Sequence, residues 1–262
     1  MHWVDIGVNL PNARLKIEPM MARAATAGVK QIILTGTNVT QSRQAADLAS
    51  DYPGRLFSTA GVHPHSAKDV TVDYLETIRH LAASSQVVAI GECGLDFNRN
   101  FSPPEQQIQI FEQQLELASE LNLPVFLHER DAFSQQYALL EKYRSQLTGG
   151  VVHCFTGDVT QMQAYLELGL YIGVTGWVCD HQRGHALRDA VRSLPLERLL
   201  LETDAPYLRP KTLGENKIKG VNQNEPCYLP HIGEQLSELM QVQLSDIQRH
   251  SANNSQQLFR LT

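Results

Sequence analysis

Short apolar runs and amphipathic segments alternate along this chain from end to end, and this alternation limits the folds open to it. Eight runs rich in Val, Ile and Leu are predicted to be strands: Val4–Val8, Gln31–Leu34, Leu56–Ala60, Val87–Ile90, Val125–Leu127, Val151–His153, Tyr171–Val174 and Leu199–Leu201. Strands that alternate with helical patterns indicate βαβ units and a parallel sheet. Eight such units in 262 residues favour an α/β fold of the closed (β/α)₈ TIM-barrel type, which typically needs roughly 250 residues.

The segments between and after the strands carry helical periodicity. Apolar residues recur at helical spacing after Pro104, and two further helices, Tyr228–Met240 and Ser245–Leu258, are predicted to follow the last strand. An open doubly wound sheet is the alternative, but it normally carries a glycine-rich turn that GVNLPNAR lacks. Because no linker or low-complexity stretch interrupts the chain, residues 1–262 are predicted to form a single domain with extra C-terminal helices.

Composition narrows the class of protein. A hydrophobic content of 42% is enough to bury a full core, and the net charge of −6 gives no overall attraction to nucleic acid. None of the four cysteines belongs to a C-x-x-C pair, which argues against a zinc ribbon. No stretch approaches the roughly 20 apolar residues of a membrane helix, and MHWVDIGVNL begins directly with a strand. We therefore expect a soluble, cytoplasmic monomer that makes no membrane contact.

Four potential metal ligands each follow a different predicted strand. They are Glu92, His128, His153 and Asp204. In a parallel barrel the strand ends converge on one face, so these residues are expected to meet. Taken singly, each has a plainer role, such as an ion pair, a core histidine or a turn aspartate. Together, two imidazoles and two carboxylates suit a divalent metal and indicate a metal-dependent hydrolase.

Other polar residues are expected on the same face. His63 and His65 follow the third strand, and the proline between them restricts the backbone; His63 is predicted to contact substrate or a water, and His65 is a weaker candidate. Asp96 and Arg130 are secondary candidates, and Glu202 should support the metal ligands. Cys93 and Cys154 directly follow two ligands, so strand alternation predicts that both thiols point away toward the helices.

At these residues the chain resembles the TatD-related deoxyribonuclease family. The matching motifs run in the family's order across nearly the whole chain: DIGVNL, TGTN, AGVHPH, AIGECGLDF, PVFLHERDA, VVHCFTG, YIGVTGW, LLLETDAPYL and NEPCYLPHI. The resemblance implies a (β/α)₈ barrel, Mg²⁺ as the metal (with Mn²⁺ or Zn²⁺ as alternatives) and 3′-to-5′ exonuclease activity. It also implies metal binding by Glu92, His128, His153 and Asp204 and a substrate-facing role for His63.

One segment departs from the wider family. Most members have Asp-x-His-x-His on the first strand, whereas this chain has Gly7 and Asn9 at the two histidine positions. Glycine offers no ligand, and Asn9 offers a neutral amide oxygen that Mg²⁺ accepts. The branch that gives the family its name is similar in lacking these histidines. The departure argues against a full two-metal centre, and Gln223 stands where the family often has Arg.

The expected chemistry is hydrolysis of a phosphodiester bond in single-stranded DNA or RNA, with DNA repair as a possible setting. Glu92, His128 and His153 are assigned as ligands, Asp204 as ligand and general base, and His63 as the group that holds the phosphate or leaving oxygen. The predicted loops of the catalytic face also carry basic residues expected to follow the nucleic-acid backbone: Arg14, Lys16, Lys68, Arg99, Arg130, Arg183, Arg209, Lys211, Lys217 and Lys219. Aromatic residues there, Trp177 among them, are expected to stack on bases.

Two other functions stay open at this stage. The same barrel and ligands permit an amidohydrolase or an aminoacyl-tRNA ester hydrolase, because fold does not fix function. The basic loops and the missing first-strand histidines argue against the first. A non-catalytic, metal-free binding barrel is the other alternative, and the intact set of four candidate ligands argues against it.

Overall fold

A computed structural model describes residues 2–261 and contains one sheet of eight parallel strands in sequence order. The strands are β1 (Trp3–Val8), β2 (Val29–Leu34), β3 (Leu56–Ala60), β4 (Val87–Asp96), β5 (Val125–Arg130), β6 (Gly150–Val152), β7 (Tyr171–Val174) and β8 (Leu199–Leu201). The α-helices are α1 (Ile17–Thr26), α2 (Val39–Ser50), α3 (Tyr74–Ala82), α4 (Pro104–Leu121), α5 (Phe133–Tyr143), α6 (Val159–Glu167), α7 (His185–Ala190), α8 (Leu229–Met240) and α9 (Leu244–Phe259). The predicted (β/α)₈ barrel is confirmed.

Backbone hydrogen bonds join the last strand to the first at the carboxyl-terminal end of the barrel. The amide of Asp204 donates to the carbonyl of Gly7 at 2.9 Å, and the amide of Asn9 donates to the carbonyl of Ala205 at 2.7 Å. Each of the other strands pairs with its sequence neighbours. Residues that follow β1 and β8 are therefore brought side by side, although almost 200 positions separate them.

Side chains from all eight strands fill the barrel interior. The innermost cluster includes Val4, Ile33, Phe57, Phe126 and Leu200, and residues of the C-terminal helix complete it. Strand residues alternate between this interior and the layer beneath the helices, so apolar runs that are buried on both faces are expected. Burial of both faces explains why the eight strands could be recognised as continuous apolar runs.

The C-terminal helix α9 covers the amino-terminal end of the barrel. Asn254 donates its side-chain amide to the carbonyls of Leu196 and Leu199, at the start of β8. Leu258 and Phe259 pack with the interior cluster. Because α9 covers this end, a substrate is expected at the carboxyl-terminal end, where TIM-barrel enzymes carry their active sites. No helix within residues 2–261 is both long and apolar enough to cross a bilayer.

Candidate active site

Three imidazoles surround the carboxylate of Glu92 at the carboxyl-terminal end of the barrel. Its Oε1 atom lies 3.0 Å from Nδ1 of His128, 3.4 Å from Nε2 of His63 and 3.4 Å from Nε2 of His153. Only 7% of the Glu92 side chain is exposed. The histidines come from β5, from the loop after β3 and from the residue after β6. The structure thus gathers three of the four predicted ligands around one oxygen atom.

A bulge in β4 directs Glu92 toward these histidines. The predicted end of this strand at Ile90 is wrong, because β4 continues to pair with β5 as far as Asp96. The register shifts between Gly91 and Cys93, so the alternation of the strand changes at Glu92. A side chain at Gly91 would collide with the backbone of β5. Beyond the bulge, Cys93 is fully buried in the layer under the helices, as predicted.

The charges at this site compensate one another strongly. Burial raises the pKa of the Glu92 carboxyl, but the neighbouring imidazoles outweigh burial and hold that pKa well below its ordinary value. Burial lowers the pKa of His153, and the carboxylates of Glu202 and Glu92 outweigh it, so that this pKa is well above its usual value. Burial also lowers the pKa of His128, and the carboxylates of Asp96 and Glu92 outweigh it, so that this pKa is raised. A divalent cation can replace these protons, because metal ligands bind in their deprotonated forms.

A backbone hydrogen bond fixes the tautomer of His63. Its Nδ1 atom accepts the N–H of His65 at 3.1 Å, which leaves the ring proton on Nε2, facing Glu92. Burial lowers the pKa of His63 to about 4, so the ring is neutral near pH 7. Ligand atoms of His63, Glu92 and His128 all lie within 4.8 Å of one another. However, an Nε2–H group donates a hydrogen bond and has no free lone pair, which suits the predicted contact with substrate better than a metal bond.

Glu202 orients His153. Its Oε2 atom is 2.6 Å from Nδ1 of His153, and its Oε1 atom accepts the N–H of Cys154 at 2.6 Å. With Nδ1 donating to the carboxylate, Nε2 of His153 keeps a lone pair for the centre beside Glu92, an arrangement typical of metal-binding histidines. A side chain at Gly7 or at Gly173 would collide with this carboxylate. Glu202 therefore fills the space that the missing side chain of Gly7 leaves open.

Asp204 follows β8 at the same end of the barrel and is held by Asn9. The Asn9 Nδ2 atom donates to Asp204 Oδ1 at 2.8 Å, so this amide positions the carboxyl group and does not present its oxygen to that group. Burial is the main cause that raises the pKa of Asp204 to about 7, with a contribution from the charges of Glu92 and Glu202. A carboxyl group that titrates near neutral pH is well suited to accept a proton from water.

Asp96 links the remaining predicted residues of this face. Its buried Oδ2 atom lies 2.7 Å from Nε2 of His65 and 3.4 Å from Nε2 of His128. The Phe101 ring packs edge-on against His65 at 4.7 Å and is 57% exposed. Arg130 ends β5 and is exposed at the same face. His65 therefore reaches Glu92 only indirectly, through Asp96 and His128 or through the ring of His63, whose centroid lies 4.2 Å from its own.

The predicted direction of the Cys154 side chain is wrong. Cys154 does not point toward the outer helices, because its backbone is left-handed, with a φ angle of 46°, and strand alternation ends before it. Its Sγ atom lies 3.8 Å from Oγ1 of Thr175, at the carboxyl-terminal end of the barrel.

The Trp177 ring has the guanidinium of Arg183 over it at 4.4 Å. Base stacking by Trp177 and substrate contacts by the exposed Lys217 and Lys219 stay predictions.

Sequence analysis missed two residues that hold the segment before Asp204. Asp5 is fully buried in β1 and accepts hydrogen bonds from the amide and the hydroxyl of Thr203 at 2.9 Å and 2.6 Å. Asn224 donates its side-chain amide to the carbonyl of Thr203 at 2.7 Å. For Asp5, the sequence did carry a signal: it is an acidic residue inside an otherwise apolar strand, and buried charges need partners.

Comparison with known proteins finds similarity over the whole chain. A sequence profile described as TatD related DNase matches residues 4–260. A protein of Edwardsiella piscicida named 3′-5′ ssDNA/RNA exonuclease TatD is 49% identical over 260 residues, covering 98% of this chain and 99% of that protein. The protein of the same name from Pantoea sp. (strain At-9b) is 49% identical over 259 residues, with the same coverage of 98% and 99%.

Solved structures support the same assignment. The crystal structure of YJJV, a TatD homolog from Escherichia coli k12, has a TM-score of 0.89 and 30% identity, covering 99% of this chain and 98% of its own. A TatD family hydrolase from Entamoeba histolytica has a TM-score of 0.87 and 28% identity, covering 100% and 99%. Because the family profile and these relatives extend over almost every residue, the resemblance found in the sequence is confirmed, and the chain belongs to the TatD related DNase family.

Proposed function

We propose that this chain is a divalent-metal-dependent nuclease that removes nucleotides from the 3′ end of single-stranded DNA and RNA. The relatives that are 49% identical to it carry the name 3′-5′ ssDNA/RNA exonuclease. The observation that supports the chemistry most directly is the Glu92 carboxylate between the imidazoles of His128 and His153, with Glu202 behind His153. Amide and ester hydrolysis and the metal-free barrel have no comparable observation in their favour.

The donor set fits a divalent cation. Nδ1 of His128 and Nε2 of His153 lie 3.0 Å and 3.4 Å from Oε1 of Glu92, and Asp204 supplies a second carboxylate. When bound, such a cation contributes positive charge to a phosphoryl group and makes a nearby water more acidic. We propose Mg²⁺ as the cation, with Mn²⁺ and Zn²⁺ as the alternatives to be compared with it.

The residues around this centre divide the remaining work. Asp204, whose pKa is raised to about 7, accepts the proton of the attacking water. His63 donates its Nε2–H to an oxygen of the scissile phosphate or to the leaving oxygen. The buried ring cannot take up a second proton easily near neutral pH, because burial lowers its pKa to about 4. His63 therefore acts as a neutral hydrogen-bond donor that needs no change of charge.

The setting of the activity is part of the same proposal. Removal of 3′-terminal nucleotides is a step of DNA repair, and we propose repair in the cytoplasm as its use. We also propose that residues 1–262 work as one domain and as a monomer. The packing of α9 against the barrel interior supports the single domain, since Leu258 and Phe259 share a cluster with residues of the strands.

Digestion of end-labelled single-stranded DNA and RNA tests the proposal. With Mg²⁺, a 5′-labelled strand should shorten stepwise, whereas EDTA or Glu92→Ala should abolish the products. Glu197→Ala is the matched control, because Glu197 is exposed and lies outside the centre. Release of label from the 5′ end first, or no cleavage with Mg²⁺, Mn²⁺ or Zn²⁺ by folded protein, would contradict the proposed activity.

A further inference from the structure

A cleft lined by cationic side chains lies between the loops that follow β1 and β8. The loop after β1 contributes Arg14 and Lys16, helix α1 contributes Arg23, and the loop after β8 contributes Lys219 and Gln223. The cleft has a volume of about 310 Å³. We call these residues the basic cleft. Its position at the carboxyl-terminal ends of β1 and β8 places it on the same end of the barrel as Asp204.

The positive charge of the basic cleft is largely unopposed. One acidic residue, Glu225, also lines the space; it is buried and forms a two-point ion pair with Arg23, with distances of 2.7 Å and 2.8 Å. Arg14, Lys16 and Lys219 are exposed, and none of the ion pairs found among residues 2–261 involves them. Other cations of this face differ: Arg183 and Lys211 both bind the carboxylate of Asp180. The basic cleft thus keeps three cations available for an anionic ligand.

The start of helix α1 adds to this charge. Lys16 directly precedes the helix, and no side chain caps its first amides. Uncapped amides and the helix dipole favour anions at this position. The nearby carboxylate of Glu18 accepts a hydrogen bond from the hydroxyl of Tyr52. The chemistry of the cleft, with exposed cations around an open space, suits a phosphate group better than a neutral ligand.

Hydrogen bonds connect the basic cleft to the catalytic centre. Gln223 donates its side-chain amide to the carbonyl of Arg14 at 2.8 Å, and its neighbour Asn224 holds Thr203, the residue before Asp204. Along the other loop, Asn9 contacts Asp204. The five-residue step from Asn9 to Arg14 spans at most ~18 Å, even if fully extended. A strand whose 3′ end lies at the centre could therefore reach the cleft within a few nucleotides.

We infer that the basic cleft binds backbone phosphates of the substrate strand upstream of the bond that is cut. This inference rests on the proposed exonuclease function and adds a second, non-catalytic contact to it. Contacts to phosphates carry no sequence information, so the cleft would hold any single strand while its 3′ end is shortened. It would strengthen the binding of longer strands and leave that of very short ones unchanged.

Equilibrium binding tests the inference without catalysis. Fluorescein-labelled oligothymidylates of roughly 2 to 12 nucleotides, a range that covers known single-strand site sizes, are titrated in EDTA and followed by anisotropy. The test variant is Arg14→Ala/Lys16→Ala/Lys219→Ala. The control is Lys30→Ala/Arg43→Ala/Arg55→Ala, which removes the same charge from exposed residues at the start of β2, on α2 and just before β3.

The expected result is selective for strand length. Wild type and the control should bind longer strands more tightly than short ones, and the test variant should lose this gain and bind long strands about tenfold more weakly. Its slope of log affinity against log salt should be shallower by up to about 2, or about 0.7 for each lost cation. The shortest strands should bind all three proteins equally.

Other results would overturn the inference. Equal binding of long strands by the test variant and the control would do so, even if wild type degrades DNA from the 3′ end. Absence of length-dependent binding by wild type would do so as well. By contrast, loss of length-dependent binding in the test variant, together with no 3′ shortening by wild type, would support the cleft and reject the exonuclease.

Discussion

Replacement of Glu202 by glutamine should separate the orienting of His153 from the packing around it. Glutamine has nearly the shape of glutamate, so it fits the space between Gly7 and Gly173. The carboxylate of Glu202 accepts two N–H groups, from His153 Nδ1 and from the Cys154 amide, both at 2.6 Å. A glutamine has one acceptor oxygen and an NH₂ group. It can therefore satisfy only one of these two donors.

Both arrangements of the glutamine weaken the centre. If its oxygen faces His153, the buried amide of Cys154 loses its partner, which costs about 1–3 kcal/mol. If its NH₂ group faces His153, the ring proton moves to Nε2, and the lone pair directed at the centre is lost. Loss of such an orienting partner typically lowers metal affinity about 10- to 100-fold, which corresponds to about 1.4–2.8 kcal/mol. The first arrangement therefore lowers the free energy of unfolding and the second lowers the metal affinity, by similar amounts.

The assay is a titration of Mn²⁺ against a competing chelator, followed by urea unfolding in EDTA. Glu202→Gln should either bind the cation about 10- to 100-fold more weakly than wild type or lose about 1–3 kcal/mol of unfolding free energy. Glu197→Gln, at an exposed position before β8, should bind it as wild type does. Metal affinity and unfolding free energy of Glu202→Gln that both equal those of this control would refute the reasoning, because His153 would then not depend on its partner.

Three further predictions use the same site. His63→Ala should lower kcat by about 100-fold or more and leave Mn²⁺ affinity unchanged; a parallel loss of affinity would identify His63 as a ligand. Because the pKa of Asp204 is raised to about 7, cation binding should tighten as the pH rises through 7 and should release protons. Calorimetry in buffers of different ionisation enthalpy measures this release. An affinity for the cation that does not change between pH 6 and 8 (about one unit on each side) would contradict the prediction. Burial likewise raises the pKa of Asp5 from 3.8 to about 7, so the folded state favours the protonated form of Asp5. The stability that this preference contributes is fully present below pH 3.8 and is lost as the pH rises through about 7. Asp5→Asn should remove this pH-dependent contribution. Urea unfolding in EDTA should therefore show the free energy of unfolding of wild type falling relative to that of the variant as the pH rises; a difference between the two that does not change with pH would count against the prediction.

The sequence alone determined the architecture, because the signal for it is local. Each strand is buried on both faces, so it reads as a continuous apolar run whatever its neighbours are. The bounds of β3, β7 and β8 agree with the predicted ones residue for residue. The order of strands in a barrel follows the order of the chain, and strand ends share one face. The meeting of Glu92, His128 and His153 followed from these rules.

Contacts between distant segments decided what each side chain does there. The bulge at Gly91, which directs Glu92 inward, depends on how β4 pairs with β5. Cys154 was misplaced because a single left-handed residue ends the alternation on which the prediction relied. The tautomer of His63 depends on one backbone amide. No periodicity in the sequence encodes such features.

The first and last strands show the difference most clearly. The sequence shows that Gly7 lacks a ligand side chain, but only the tertiary structure shows that Glu202 occupies the vacant space and bonds His153. It also brings Arg14 and Lys219 to the two sides of one cleft, although some 200 residues separate them. Local patterns report whether a residue is buried. Which groups become partners depends on how the closed barrel joins its two ends, and that is a property of the whole fold.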